Sequence, residues 1–125
     1  MLFRSVALAA SGTVVLELAA AGLPMVVTYL VHPLSAWVAR HMLKVSHVSL
    51  VNLVLGREAV PELIQERCEP VGLADALAAL FGDENARLRQ KRALADTMRA
   101  LTPEGATPSR RAAEVVLGVV RDRHA

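Results

Sequence analysis

Ser11, Gly12, Thr13 and Glu17 are the residues of this chain whose types and spacing could do chemistry together. Two hydroxyls flank a glycine, and a carboxylate follows Thr13 by four residues. A helix starting just after this turn would offer first-turn N–H groups with no intrahelical partner and a partial positive charge, a ready anion site. Ser11 and Thr13 would add hydroxyl donors, and Gly12 would let a phosphate come close to the backbone. The four-residue spacing puts Glu17 on the helix face of Thr13. From there its carboxylate could accept hydrogen bonds from ribose hydroxyls. It is the one charged residue between Arg4 and His32. The competing reading is a helix whose glutamate simply faces solvent, because glycine turns of this kind are common.

The elements that must position these residues follow from the flanking sequence. Residues 6–9 are a short apolar run of the kind a buried parallel strand needs. Ser11 is the expected N-cap of a helix over residues 14–21, rich in alanine and apolar residues. Gly22 is its expected C-terminal cap, and Pro24 blocks continuation. Residues 25–29 form a second apolar, β-branched run. Strand, turn, helix, turn, strand is half of a doubly wound nucleotide-binding fold.

Four segments carry a resemblance to a known family: LAASGTVVLELAAAGLPMVVTY, HPLSAWVARHMLK, VSLVNLVLGRE and VPELIQERCEP. In this order and spacing they resemble lipid-A-disaccharide synthase, a bacterial glycosyltransferase family of the two-domain GT-B type. The resemblance covers about residues 7–70 and thins to helical character beyond. It implies an α/β fold, a Rossmann-like half of a GT-B nucleotide-binding domain followed by C-terminal helices. Residues 1–70 would be part of the UDP-sugar-binding domain and residues 71–125 its helical tail.

The implied reaction transfers diacylglucosamine from its UDP donor to 2,3-diacylglucosamine 1-phosphate, making the β-1,6-linked lipid A disaccharide precursor and releasing UDP. No cofactor or metal is implied. Ser11, Gly12 and Thr13 would take the phosphates and Glu17 the ribose. Asn52 matches the family's asparagine, and Arg57 could pair with phosphate through its planar fork. Asn52 as a structural turn residue and Arg57 as a solvated side chain are the plainer alternatives. No catalytic base can be named. The resemblance puts it on a domain this chain lacks, so the chain reads as an inactive C-terminal piece. The family has a basic residue after the segment's tyrosine, where Leu30 and Val31 stand, and a proline where Val51 stands.

Composition bounds the rest. The 125 residues suit one modest core. A net charge of +2 and 3% aromatic residues give no footing for nucleic acid. One cysteine, Cys68, permits no internal disulfide and fits a reducing compartment. Apolar residues make up 54% of the chain, yet no stretch of ~18 uncharged apolar residues, the length a membrane span needs, occurs. Residues 1–10 also look like a secretory signal peptide, which makes a small secreted protein a rival reading. Other UDP-sugar enzymes of this fold are a second rival, and a non-catalytic dimerising module a third. Cytoplasmic, peripheral at the inner membrane, is the location the resemblance implies.

Further along, residues 32–44 predict a helix with Leu34, Trp37, Val38 and His41 on one face and Arg40 and Lys44 on another. That face suits either the sheet or a membrane interface. Residues 45–58 carry the SLVNLVLGRE segment, with a loop read around Val51 and Asn52 and another at Gly56, Arg57 and Glu58, and residues 60–65 read as a short helix with Pro61 in its first turn. His32, His41, His47 and His124 fit no common metal-ligand spacing. From Pro70 the chain reads as helical. Leu73, Ala76, Leu77 and Leu80 make an apolar stripe, Gly82 closes that helix, and Asp83 and Glu84 open the next. Arg87, Arg89, Lys91 and Arg92 read as a solvated face. Thr107 and Pro108 start a last helix as N-cap and first residue. Its valines, Val115, Val116, Val119 and Val120, would favour self-association to a homodimer if exposed.

Overall fold

Short runs of β-branched and small residues form the centre of the protein, with Glu62 the one charge in its strands. The computed structural model describes residues 5–30, 47–102 and 107–124. Strand β1 (Ala7–Ala10), helix α1 (Val14–Ala20) and strand β2 (Met25–Tyr29) come first. Helix α2 (Leu50–Leu55), strand β3 (Glu62–Ile64) and a 3-10 turn (Gln65–Arg67) follow. Helices α3 (Pro70–Gly82), α4 (Glu84–Leu101) and α5 (Pro108–His124) end the chain. The three strands form one parallel sheet in the order β1-β2-β3. Its register sets Ala7 beside Met25, and Val27 beside Glu62.

Successive side chains of a strand point to opposite faces, and helices cover both. On one face Ala9, Met25 and Val27 pack against Val15 and Ala19 of α1, Val51 of α2 and Leu94 of α4. On the other, Val26 and Leu63 meet Leu80, with Leu73, Ala76 and Leu77 packed alongside. The stripe expected on α3 is therefore the one that packs. Met25, Val26 and Val27 are fully buried, which is why β2 reads as continuous apolar sequence rather than as alternation. The α/β Rossmann-like reading holds, with β1 one residue later than expected.

The C-terminal end of α1 closes on its own backbone. Gly22 takes the left-handed conformation at φ +63°, open to glycine at little cost. Its N–H donates to Ala19 O at 3.0 Å, and the N–H of Leu23 to Leu18 O at 3.0 Å. This paired arrangement satisfies the helix's last carbonyls.

Three expectations are corrected. Residues 60–65 do not form a helix. Pro61 lies just before the strand, where its missing N–H costs nothing, and its carbonyl accepts from Val27 N–H at 2.9 Å. Leu63 is then buried against Val26, so sheet pairing wins over local helix preference. Residues 50–55, read as loop around Val51 and Asn52, form α2. Ser49 is its N-cap, accepting from Asn52 N–H at 3.2 Å, and Gly56 ends it at φ +64°. Arg87 leaves the solvated run, because its guanidinium turns inward to the last carbonyls of α3, Leu80 at 2.6 Å and Phe81 at 2.7 Å. Arg89, Lys91 and Arg92 are exposed.

Asp83 precedes α4 as its N-cap residue, with no side-chain cap bond closed. The backbone N–H of Ala86, ahead of that of Asn85 and the Arg89 guanidinium, still holds its exposed carboxyl below the usual value. Helix α5 starts as expected, Thr107 Oγ1 accepting from Arg110 N–H at 3.3 Å. Val115, Val116, Leu117, Val119 and Val120 on it are 48–68% exposed. No helix among the described residues is long and apolar enough to cross a membrane. The expected helix over residues 32–44 lies outside the described residues.

Candidate functional site

The loops that leave the carboxyl ends of parallel strands are where an open α/β sheet binds ligands. The first of them starts at once. Ala10 ends β1, and Ser11 N–H donates to Thr28 O on β2 at 2.9 Å. Gly12 follows at φ +159°, and no atom lies within 4 Å of where a Cβ would stand. Thr13 is already helical at φ −63°, ψ −27° and forms the N-cap without a side-chain bond. Val15 N–H folds back on Gly12 O at 3.2 Å and Leu16 N–H on Thr13 O at 2.9 Å. Among the described residues the N–H groups of Gly12, Thr13 and Val14 have no acceptor. Glu17 stands one turn on, its N–H 3.4 Å from Thr13 O, and its side chain is exposed.

Ser11 is not the N-cap expected of it. It sits two residues before Thr13, and its Oγ donates to Val48 O at 3.2 Å instead. The hydroxyl therefore ties the turn to the segment entering α2. A phosphate is an acceptor, so a ligand at this turn meets backbone N–H groups and the Thr13 hydroxyl before it meets Ser11 Oγ.

Asn52 is fully buried on α2. Its Oδ1 accepts from Ala59 N–H at 2.7 Å and from Val60 N–H at 3.0 Å. Its Nδ2 donates to Val60 O at 2.8 Å and to the Glu62 carboxylate at 2.7 Å. All four hydrogen-bonding positions are filled within the chain. Asn52 can affect a ligand only through the segment it holds. Arg57 lies exposed past Gly56, and no hydrogen bond or ion pair among the described residues joins it to the turn.

Sequence reasoning missed Glu62. Its buried carboxylate accepts from Val48 N–H at 3.0 Å through Oε2 and from Ser49 N–H at 2.9 Å through Oε1. Together with Asn52 it builds a polar cluster at the entrance to α2. The available signal was a carboxylate inside the apolar run Val60 to Ile64, because a buried charge must find partners. Gln90 was missed as well. From α4 it accepts from Met25 N–H and donates to Met25 O at 3.0 Å, pairing the first residue of β2 as a strand would. At the carboxyl ends of β2 and β3, Thr28 Oγ1 lies 2.7 Å from Cys68 Sγ. Gln65 there takes φ +51°, a left-handed conformation uncommon outside glycine. No group of three His, Cys, Asp or Glu among the described residues could hold a metal ion.

The turn, the crossover and the sheet order fit a nucleotide-binding half-domain, and the comparisons with known proteins say which. A family model described as lipid-A-disaccharide synthetase matches residues 1–116. The chain belongs to this family. It is 44% identical over 116 residues to lipid-A-disaccharide synthase of Gluconobacter oxydans (strain 621H), covering 93% of this chain and 28% of that protein. The synthase of Rhodospirillum centenum is 46% identical over 117 residues, covering 94% of this chain and 29% of the relative. That of Rhodopseudomonas palustris (strain ATCC BAA-98 / CGA009) is 46% identical over 115 residues, 92% of this chain and 29% of the relative. The chain thus spans less than a third of the length of these curated relatives. The stretch matched to the lipid-A-disaccharide synthase family takes in Ser11, Gly12, Thr13, Glu17, Asn52 and Arg57, and also Glu62 and Gln90.

Proposed function

We propose that this chain is the UDP-holding part of a lipid-A-disaccharide synthase. The parent enzyme transfers diacylglucosamine from UDP to diacylglucosamine 1-phosphate and releases UDP. The observation that carries the reading is the open turn of residues 11–13 at the carboxyl end of β1, in a chain that matches this family over residues 1–116. The diphosphate lies against the N–H groups of Gly12, Thr13 and Val14 and the Thr13 hydroxyl. Glu17, one turn on, accepts from the ribose hydroxyls. Ser11 holds the turn, Asn52 shapes the neighbouring segment, and Arg57 adds positive charge near the phosphates. Fixed N–H dipoles aimed at the diphosphate stabilise the negative charge that grows on departing UDP. The catalytic base is assigned to no residue of this chain. The acyl chains of both substrates favour a membrane surface, and membership of this family supports the cytoplasmic face of the inner membrane as the parent enzyme's location.

Titration of the 125-residue chain with UDP, followed by amide shifts in NMR, tests this reading. Saturable shifts at Gly12, Thr13 and Val14, weakened in Glu17→Ala, are expected. A folded chain that ignores millimolar UDP overturns it. The exposed valines of α5 favour a second reading, self-association through that helix. Sedimentation that stays monomeric across a hundredfold concentration range sinks the second reading alone.

A further inference from the structure

The polar cluster at the start of α2 and the turn after β1 are one mechanical unit. Glu62 Oε2 accepts from Val48 N–H at 3.0 Å, and Oε1 accepts from Ser49 N–H at 2.9 Å. These two bonds fix the peptide planes on either side of Val48. The Val48 carbonyl, so fixed, accepts from Ser11 Oγ at 3.2 Å. Ser11 N–H in turn donates to Thr28 O at 2.9 Å. Gly12, with open space around it, carries no side chain that could hold the turn by packing. The turn is held by hydrogen bonds at Ser11, and one of those leads to a buried carboxylate on β3. Asn52 orients that carboxylate with a 2.7 Å bond to Oε1, and its other bonds to residues 59 and 60 keep β3 at the right distance.

From this chain of contacts we propose that Glu62 is a positioning residue for the nucleotide turn. It acts through Val48 and Ser11 and touches no substrate. The proposal rests on the UDP-binding reading and deepens it. Glu62 keeps the Gly12 and Thr13 N–H groups in the geometry a diphosphate needs, so that binding does not have to order the turn.

A double-mutant cycle on the 125-residue chain tests it, with Glu62→Gln, Ser11→Ala and the pair, each read by amide shifts and by UDP affinity. Gln places an NH2 where the carboxylate accepted, so it opposes the Val48, Ser49 or Asn52 donors. In the free chain, Glu62→Gln should move the Gly12 and Thr13 amides as well as those of Val48 and Ser49. Ser11→Ala should abolish that transmission. UDP affinity should fall roughly fivefold in either single variant, the worth of one hydrogen bond, and no further in the double variant. Additive losses, or Gly12 and Thr13 amides that do not move, overturn the role of Glu62 while leaving the UDP reading in place. A wild-type chain that does not bind UDP overturns both. If Glu62→Gln does not fold, Ser11→Ala decides alone: shifts that reach Val48 and Ser49 with weakened UDP binding support the tether, and shifts confined to residues 11–13 overturn it.

Discussion

The two connections that build the sheet are finished in different materials. The one carrying α1 into β2 is closed by backbone geometry, with Gly22 at φ +63° and two N–H groups returned to the helix end. The one carrying α2 into β3 is closed by buried side chains, Asn52 and Glu62, which hold five backbone groups between them. Backbone closure needs a glycine in one place and little else. Side-chain closure needs every partner at once, because a donor or acceptor left alone in the interior costs more than a made bond returns. The first connection should tolerate change, and the second should not.

Asn52→Leu tests the difference where the effect is largest. It strips partners from buried groups of Ala59, Val60 and Glu62, at a cost on the order of 3–5 kcal/mol. The expected outcome in urea titration followed by circular dichroism is loss of a cooperative transition. Gln90→Leu, which frees the Met25 N–H and carbonyl on the sheet, should lower stability by about 2 kcal/mol with cooperativity kept. Gly22→Ala forces a side chain into a left-handed residue and should cost about 1 kcal/mol. A Gly22→Ala chain as damaged as the Asn52→Leu chain would break the comparison. Val116→Ser on the exposed face of α5 should stay within about 0.5 kcal/mol of the parent in the same titration.

The smallest effect belongs to Asp83, whose exposed carboxyl is held below its ordinary value chiefly by the Ala86 N–H. Its stabilisation is present above the unfolded-chain value of about 4 and fades as pH falls through the lower folded value. Asp83→Asn should therefore cost a little stability at neutral pH, and the difference from the parent should fade as pH falls below ~4. The urea midpoint measured across that range reads it.

The same contrast decides what could be read in the sequence. Strand β2, helix α1 and its glycine stop, the packed stripe of α3 and the Thr107 start of α5 all show in short-range pattern. Periodicity and punctuation are local, and so are the contacts that enforce them. Strand β3 was hidden because three residues are too few to show a period, and its choice of strand comes from Val26 and Val27, 34 or more residues earlier. The Ser11 hydroxyl was misjudged because its partner, Val48, lies 37 residues away. Arg87 looked like part of a charged face because its partners, Leu80 and Phe81, though near in sequence, lie across the break between two helices, where periodicity does not carry. At the candidate site, the turn and Glu17 were legible as residue types, while the tether that positions them was not.

Gln90 has a consequence for the order in which the protein is completed. The first residue of β2 obtains both of its paired bonds from a side chain 65 residues downstream. A nascent chain that has emerged only as far as α3 carries the three described strands, yet it cannot seal Met25. Amide exchange at Met25 is then a clock for the docking of α4 rather than for strand pairing. A contact this distant in sequence makes the last steps of assembly slow relative to the helices. A sheet whose strands all lie within residues 7–64 is closed by a glutamine translated after them.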